Sequence, residues 1–320
     1  MSEPLKELLD RHPQEPIRPV VDAAAAMLDE CVNYGTNLVV SCDKGASAIQ
    51  GHMEAVVLLG LHVVEVVDAI AILIRHCSVN PAKNLLRSQM EAMFGIEYIA
   101  KGDRERKAVQ YLVAHAHSRM DWYRKLDPTS ATGRQLSAQL RKDSTFNELR
   151  IVELDTTANV DNLRKMLARQ EYADVEAEWQ RVRQQRQGQI WWYSLFRGPE
   201  RIEDLATAVG DHAWYEILYR IYSGEVHATN AIDSLHATHE VSKGTYQPLR
   251  YPTDLPTVAQ LATSMAVRSY NCLVRMLCPD EGNSFAHWYL NEVQPKYDSL
   301  LGCKIVDPTR PSKTLQKRSS

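Results

Sequence analysis

The chain has 320 residues, 44% hydrophobic and 24% charged, which excludes wholesale disorder and suffices for one large domain or two small ones. Lys and Arg total 37 against 40 Asp and Glu, a formal charge of −3 that excludes a globally basic nucleic-acid binder and leaves room only for local patches. Six cysteines, at 31, 42, 77, 272, 278 and 303, form no Cys-x-x-Cys pair, and Met1-Ser2-Glu3-Pro4-Leu5-Lys6 lacks a signal-peptide core, so free thiols in a cytoplasmic protein are expected.

After a proline-punctuated arm (Pro4, Pro13, Pro16, Pro19), the alanine-rich run from Val20 to Val32 predicts a first helix. Ala46 to Arg75 predicts a long second one. Its stretch from Ala55 to Ile74 is apolar enough to raise the question of a membrane span, but His62, Glu65 and Asp68 near its middle are costly in hydrocarbon. They fall three apart on one edge, so an amphipathic helix of a soluble chain, with no membrane, is expected. Pro81 marks the first turn of a third helix to about Ala100, and Gly102-Asp103 turns the chain into a fourth, from Arg104 to Lys125. Asp127-Pro128 opens a loop.

The composition then changes. Between Asp161 and Gln187 lie five acidic and six basic residues with few large apolar ones, the pattern of a solvated helical pair laced with ion pairs. Arg181, Arg183 and Arg186 crowd one end and leave an RNA- or partner-binding role open. Apolar character returns at Ile190-Trp191-Trp192-Tyr193. Short helices are expected at Ile202 to Val209, Trp214 to Tyr222 and Glu225 to Val241, then a loop from Lys243 to Pro256. Leu255 to Leu277 and Ser284 to Tyr297 read as closing helices. Arg310 to Ser320, with four basic residues and no acid, reads as a disordered tail. Strand-type alternation is almost absent. The expected fold is an all-α helical bundle with a charged helical insertion. Its parts are an arm and first helix (1–45), core helices (46–126), the insertion (127–189), further core helices (190–300) and a basic tail (301–320).

Two segments carry polar groups where a plain bundle would be apolar. In Asn84 to Tyr98, the residues Asn84, Arg87, Glu91 and Tyr98 share a stripe at three- and four-residue steps. Facing solvent, Arg87–Glu91 is an ordinary surface pair; facing inward, it needs partners from another helix. Such partners are present in Tyr215 to His227, where Tyr219, Ser223 and His227 lie four apart and Arg220 is close by. If Gly224 breaks the helix, Ser223 becomes a cap and His227 packs between helices. The stripe and this segment are expected to meet in the bundle interior.

Leu85-Leu86-Arg87-Ser88-x-x-Glu91-Ala92, then Tyr98, then Tyr219-x-x-x-Ser223-x-x-x-His227, resembles a bacterial helical family, the domain of unknown function family 5677. The resemblance covers about residues 50–240, leaving out the insertion and everything after Tyr246, and implies a helical bundle with no established activity. A broader resemblance, through Arg220 and His227 with six residues between them, is to HEPN ribonucleases, from whose pattern Ile221 departs. It implies metal-independent RNA cleavage in a toxin or phage-defence setting, at a site shared across a homodimer, with Arg220 as phosphate clamp and His227 as acid/base. The chemistry is coherent, since a neutral-range imidazole moves the proton and a fixed cation holds the phosphate charge. The alternative is a non-enzymatic interaction module that binds another protein, its polar cluster only fixing packing register.

His115 and His117 point apart on a helix and cannot share a metal. Asp233, His236 and Glu240 fall on one helical face, more simply a polar surface than a ligand set. No phosphate loop, nucleophile elbow or second Glu-x-x-His helix occurs, so neither metal nor cofactor is expected.

Overall fold

The computed structural model describes residues 3–48, 52–143, 156–186, 188–222, 235–237 and 244–305. Among them the chain runs through α1 (Arg18–Ala48), α2 (Glu54–Arg75), α3 (Val79–Ala100) and α4 (Arg104–Leu126). The insertion supplies α5 (Ala131–Leu140), α6 (Thr157–Leu167) and α7 (Ala173–Gln185), and the chain returns through α8 (Ile202–Val209) and α9 (His212–Trp214). A π-helical turn, Tyr215–Tyr219, continues α9, and residues 220–222 are helical again. Two short strands follow, β1 (Leu235–Ala237) and β2 (Gly244–Tyr246), then α10 (Leu255–Leu277), α11 (Gly282–Trp288) and α12 (Gln294–Ser299). The fold class is all-α.

The four long helices α1, α2, α3 and α10 pack together as the bundle. α1 buries Val21, Ala24, Leu28, Cys31, Leu38 and Cys42 at three-, four- and seven-residue steps, an apolar stripe of helical period. It runs well past Val32, where the expected helix ends, because Gly35 and Gly45 are contact points rather than breaks. A Cβ at Gly35 would collide with the Tyr270 hydroxyl, and one at Gly45 with the Leu277 carbonyl, both on α10. Helix-to-helix contact at these points outweighs the ~1 kcal/mol that glycine costs a helix interior. The single helix expected from Ala46 to Arg75 is two helices, with His52 at φ +21° just before α2.

By length and composition α2 could cross a membrane, its most apolar window averaging a hydropathy of 2.4. Here it packs between α1, α3 and α10, burying Val56, Val63, Val67, Ile70 and Ile74. Glu65 and Asp68 of the expected polar edge face solvent, and His62 is half-buried.

α4 carries the insertion on its outer face. Val109, Val113, Ala116 and Met120 pack with Val160, Leu167, Tyr172, Val175, Trp179 and Val182 as a second, separate apolar core. The insertion is therefore a packed annex and not merely a solvated pair. Arg181, Arg183 and Arg186 pair with Glu178, Asp121 and Glu200, so the basic crowd is neutralised locally.

The expected helix from Glu225 to Val241 does not hold at residues 235–237. These pair antiparallel with β2, His236 opposite Thr245, where β-favouring Thr245 and Tyr246 supply the partner strand. Asp233 and Glu240 lie outside the described residues, and His236 on a strand cannot share a helical face with them. The basic stretch Arg310 to Ser320, expected as a tail, also lies outside the described residues.

Candidate functional site

The polar stripe of α3 meets the π-helical turn at one edge of the bundle. Arg87 Nη2 donates to Tyr219 Oη at 2.6 Å, and Arg87 Nε donates to Glu91 Oε1 at 3.2 Å. Tyr219 Oη donates onward to the same Glu91 oxygen at 2.7 Å, which closes a triangle. The Arg87 guanidinium carbon stands 4.5 Å from the centroid of the Tyr219 ring, and that ring stacks on Tyr215 at 5.1 Å. A π turn rotates the following side chains relative to an α-helix and is a recurrent feature of functional sites. Burial, then the bond to Glu91, pushes the Tyr219 hydroxyl far above its ordinary value, so it stays a proton donor. Burial and the Glu91 charge do the same to Tyr193, which the spacing of motifs did not single out; its place in the Trp191-Trp192-Tyr193 run is the only sequence signal for it.

The expected meeting therefore holds for Arg87, Glu91 and Tyr219, but at the rim rather than in the interior. The Glu91 side chain is 45% exposed and that of Arg87 22%. The stripe faces the groove between α3 and the π turn because the wholly apolar Leu86, Met90, Met93 and Phe94 take the inward face of α3. Asn84 lies one turn earlier, its Oδ1 buried with no partner among the described residues. Tyr98 does not join the group. It lies eleven residues beyond Arg87, about 16 Å along a helix, and packs edge-on against Trp192 at 5.7 Å with Lys107 Nζ 3.8 Å over its ring.

Arg220 follows Tyr219 but points elsewhere. Its side chain is 64% exposed, and Nη1 reaches the Glu216 carboxylate at 3.0 Å. Ser223 and His227, the other two residues expected here, lie outside the described residues.

Two further polar groups escaped the spacing of motifs, because their members come from distant elements. Arg268 of α10 donates to Glu97 of α3 at 2.7 Å, bonds Asp211 before α9, and stands 5.4 Å from the Trp214 ring. Burial pushes Glu97 up to about 7; the Arg268 charge opposes this and the Asp211 carboxyl adds to it. In the annex, buried His117 bonds Glu176 at 2.7 Å and stacks on Trp179 at 4.9 Å. Burial works against the Glu176 charge, but bonds from His117 and Gln180 outweigh it and hold the carboxyl below its usual range.

The model of a family of unknown function, DUF5677, matches residues 53–244, more than half of the chain. The chain belongs to that family. The DUF5677 match begins one residue before α2 and ends at the start of β2. It takes in Arg87, Glu91, Tyr98 and Tyr219, together with the insertion, which the order of motifs alone leaves outside. Two helices of the bundle, α1 and α10, lie beyond the DUF5677 match. No curated protein and no solved structure matches the chain.

Proposed function

We propose that this member of DUF5677 is a metal-independent ribonuclease of HEPN type, a cytoplasmic toxin or phage-defence effector acting as a homodimer. Arg220 holds the scissile phosphate and His227 moves the proton. The observation that carries this reading is the anchoring of Tyr219 by Arg87 and Glu91, which leaves the adjoining Arg220 exposed to solvent just ahead of the segment bearing Ser223 and His227. The Arg220–Glu216 pair is a surface i,i+4 contact of small value, so an RNA phosphate can displace it. In the reaction the RNA 2′-hydroxyl attacks the adjacent phosphorus and the P–O5′ bond breaks, leaving a 2′,3′-cyclic phosphate and a 5′-hydroxyl; imidazole takes the 2′ proton and returns one to the departing 5′ oxygen, and the guanidinium stabilises charge developing on the phosphoryl oxygens.

The deciding experiment is incubation of the purified dimer with mixed RNA in EDTA. Cleavage is expected, with His227→Ala abolishing it at unchanged melting temperature and oligomeric state. RNA left intact at high protein concentration overturns the reading. A second reading rests on the closure of the Arg87–Tyr219–Glu91 triangle, which satisfies its own polar groups. It is a non-enzymatic interaction module, binding a protein partner, in which the triangle sets the packing of the π turn on α3. On that reading Arg87→Ala lowers stability and there is no cleavage to lose.

A further inference from the structure

On the exposed side of the α8–α9 turn, ligand-type atoms from three places converge. A carboxylate oxygen of Glu203 in α8, an imidazole nitrogen of His212 in α9 and a carboxylate oxygen of Glu216 in the π turn all lie within 4.8 Å of one another. Two ligands of one first-row ion, each about 2.0–2.2 Å from it, stand about 3–3.5 Å apart, so a closure of roughly an ångström brings all three into bonding range. We propose that Glu203, His212 and Glu216 form a site for a divalent first-row cation such as Zn2+, with at least one position left to water. One imidazole and two carboxylates form a borderline-hard donor set that suits such an ion.

The hydrogen bonding around His212 fits a ligand independently of the convergence. The Thr207 hydroxyl donates its proton to the Glu203 carbonyl oxygen at 3.0 Å. Towards His212 Nδ1, 3.2 Å away, it can then accept, an arrangement that in the neutral ring puts the proton on Nδ1 and a lone pair on Nε2. A ligating histidine is commonly fixed through its other nitrogen in this way. The support is rigid: Gly210 takes φ +92° to reverse the chain between α8 and α9, and Asp211, next to His212, is tied to Arg268. Arg220 now shares Glu216, so a cation and Arg220 compete for that carboxylate.

The site uses neither His227 nor RNA, so it stands or falls apart from the ribonuclease reading, which is assayed in EDTA. The test is titration of the chelator-stripped full chain with Zn2+ by calorimetry and with Co2+ by visible absorption. One ion per chain is expected. His212→Ala and Glu203→Gln should each weaken binding tenfold or more, and Thr207→Val several-fold, with circular dichroism unchanged in all three. Glu216→Gln should weaken binding tenfold or more, and Arg220→Ala should tighten it by no more than about twofold, since the Arg220–Glu216 pair is a weak surface contact. An absence of binding, or an affinity that His212→Ala, Glu203→Gln or Glu216→Gln leaves unchanged, overturns the proposal.

Discussion

The bundle and the annex are both helical, yet they are held in different ways. In the bundle, α1 and α10 approach until glycine is the only residue that fits, as at Gly35 and Gly45, and polar groups such as Arg87 and Glu91 stay at the rim. The annex has a thinner apolar core on α4, with a large aromatic, Trp179, at its centre and a histidine–carboxylate pair, His117–Glu176, beside it. Its exposed faces are laced with i,i+3 pairs such as Arg181–Glu178 and Arg164–Asp161. Stability per helix thus comes mainly from close-packed area in one region, and from two buried aromatics, Tyr172 and Trp179, plus the His117–Glu176 pair in the other.

The largest expected effects test whether the two cores are separate. Phe94 is fully buried in the bundle, and Phe94→Ala should cost about 3–5 kcal/mol, with α1, α2, α3 and α10 losing structure together in urea. Trp179→Ala removes the annex anchor, and its effect should be local. Amide-exchange protection should fall in α6 and α7 while α1, α2, α3 and α10 keep theirs. Equal loss of protection in both regions would show one cooperative unit and end the distinction.

Overpacking comes next. Gly45→Ala puts a methyl group into the Leu277 carbonyl, a backbone atom that cannot swing aside, and should cost about 1–3 kcal/mol by thermal melting. An alanine on an exposed helix face would instead stabilise slightly. This position also shows what the amino-acid pattern could and could not reveal. The apolar steps of α2, α3 and α10 are strong enough to be read directly, whereas the second half of α1, Gly35-Thr36-Asn37 through Gly45, looks like a break. Its helicity depends on Tyr270 and Leu277, more than two hundred residues away, and no local propensity carries that information. The same holds for the sites. Arg87 and Glu91 are legible because they sit four apart on one helix, and Tyr219 because it lies in a polar run. The Glu97–Asp211–Arg268 group is not, since each member comes from a different element. The insertion misleads because between Asp161 and Gln187 its charges outnumber its large apolar residues, although Val175, Trp179 and Val182 occur at the three- and four-residue steps of a buried face.

A smaller effect, in pH dependence, probes the bundle's other polar edge. Glu97 is pushed from 4.5 up to about 7 in the folded chain, chiefly by burial. Its folded value lies above its unfolded one, so the native state binds a proton that the unfolded chain releases between those two values. Its contribution to stability is therefore full below about 4.5 and is lost as pH rises towards 7, with no further change above. Glu97→Gln, which keeps the side chain's shape without the titration, should flatten that part of a stability-against-pH curve measured by urea midpoint. A slope that survives the substitution would assign the titration to another group.

The smallest expected change lies at the rim. Tyr219→Phe deletes the hydroxyl that accepts from Arg87 and donates to Glu91, but leaves the ring stacked on Tyr215 and Arg87 bonded to Glu91. With Glu91 nearly half exposed, water can replace the lost bond, so the cost should be near 1 kcal/mol, well below that of Phe94→Ala. A loss of 3–5 kcal/mol would instead mean that the triangle behaves as a desolvated ion pair and that bundle rim and bundle core are not energetically distinct. Reading RNA cleavage on the same variant adds a second axis. If the triangle serves to hold the Arg220–His227 segment in position, Tyr219→Phe should lower the turnover number more than it raises KM, at almost unchanged melting temperature. A purely structural triangle would move the melting temperature and leave the kinetics of the folded fraction alone.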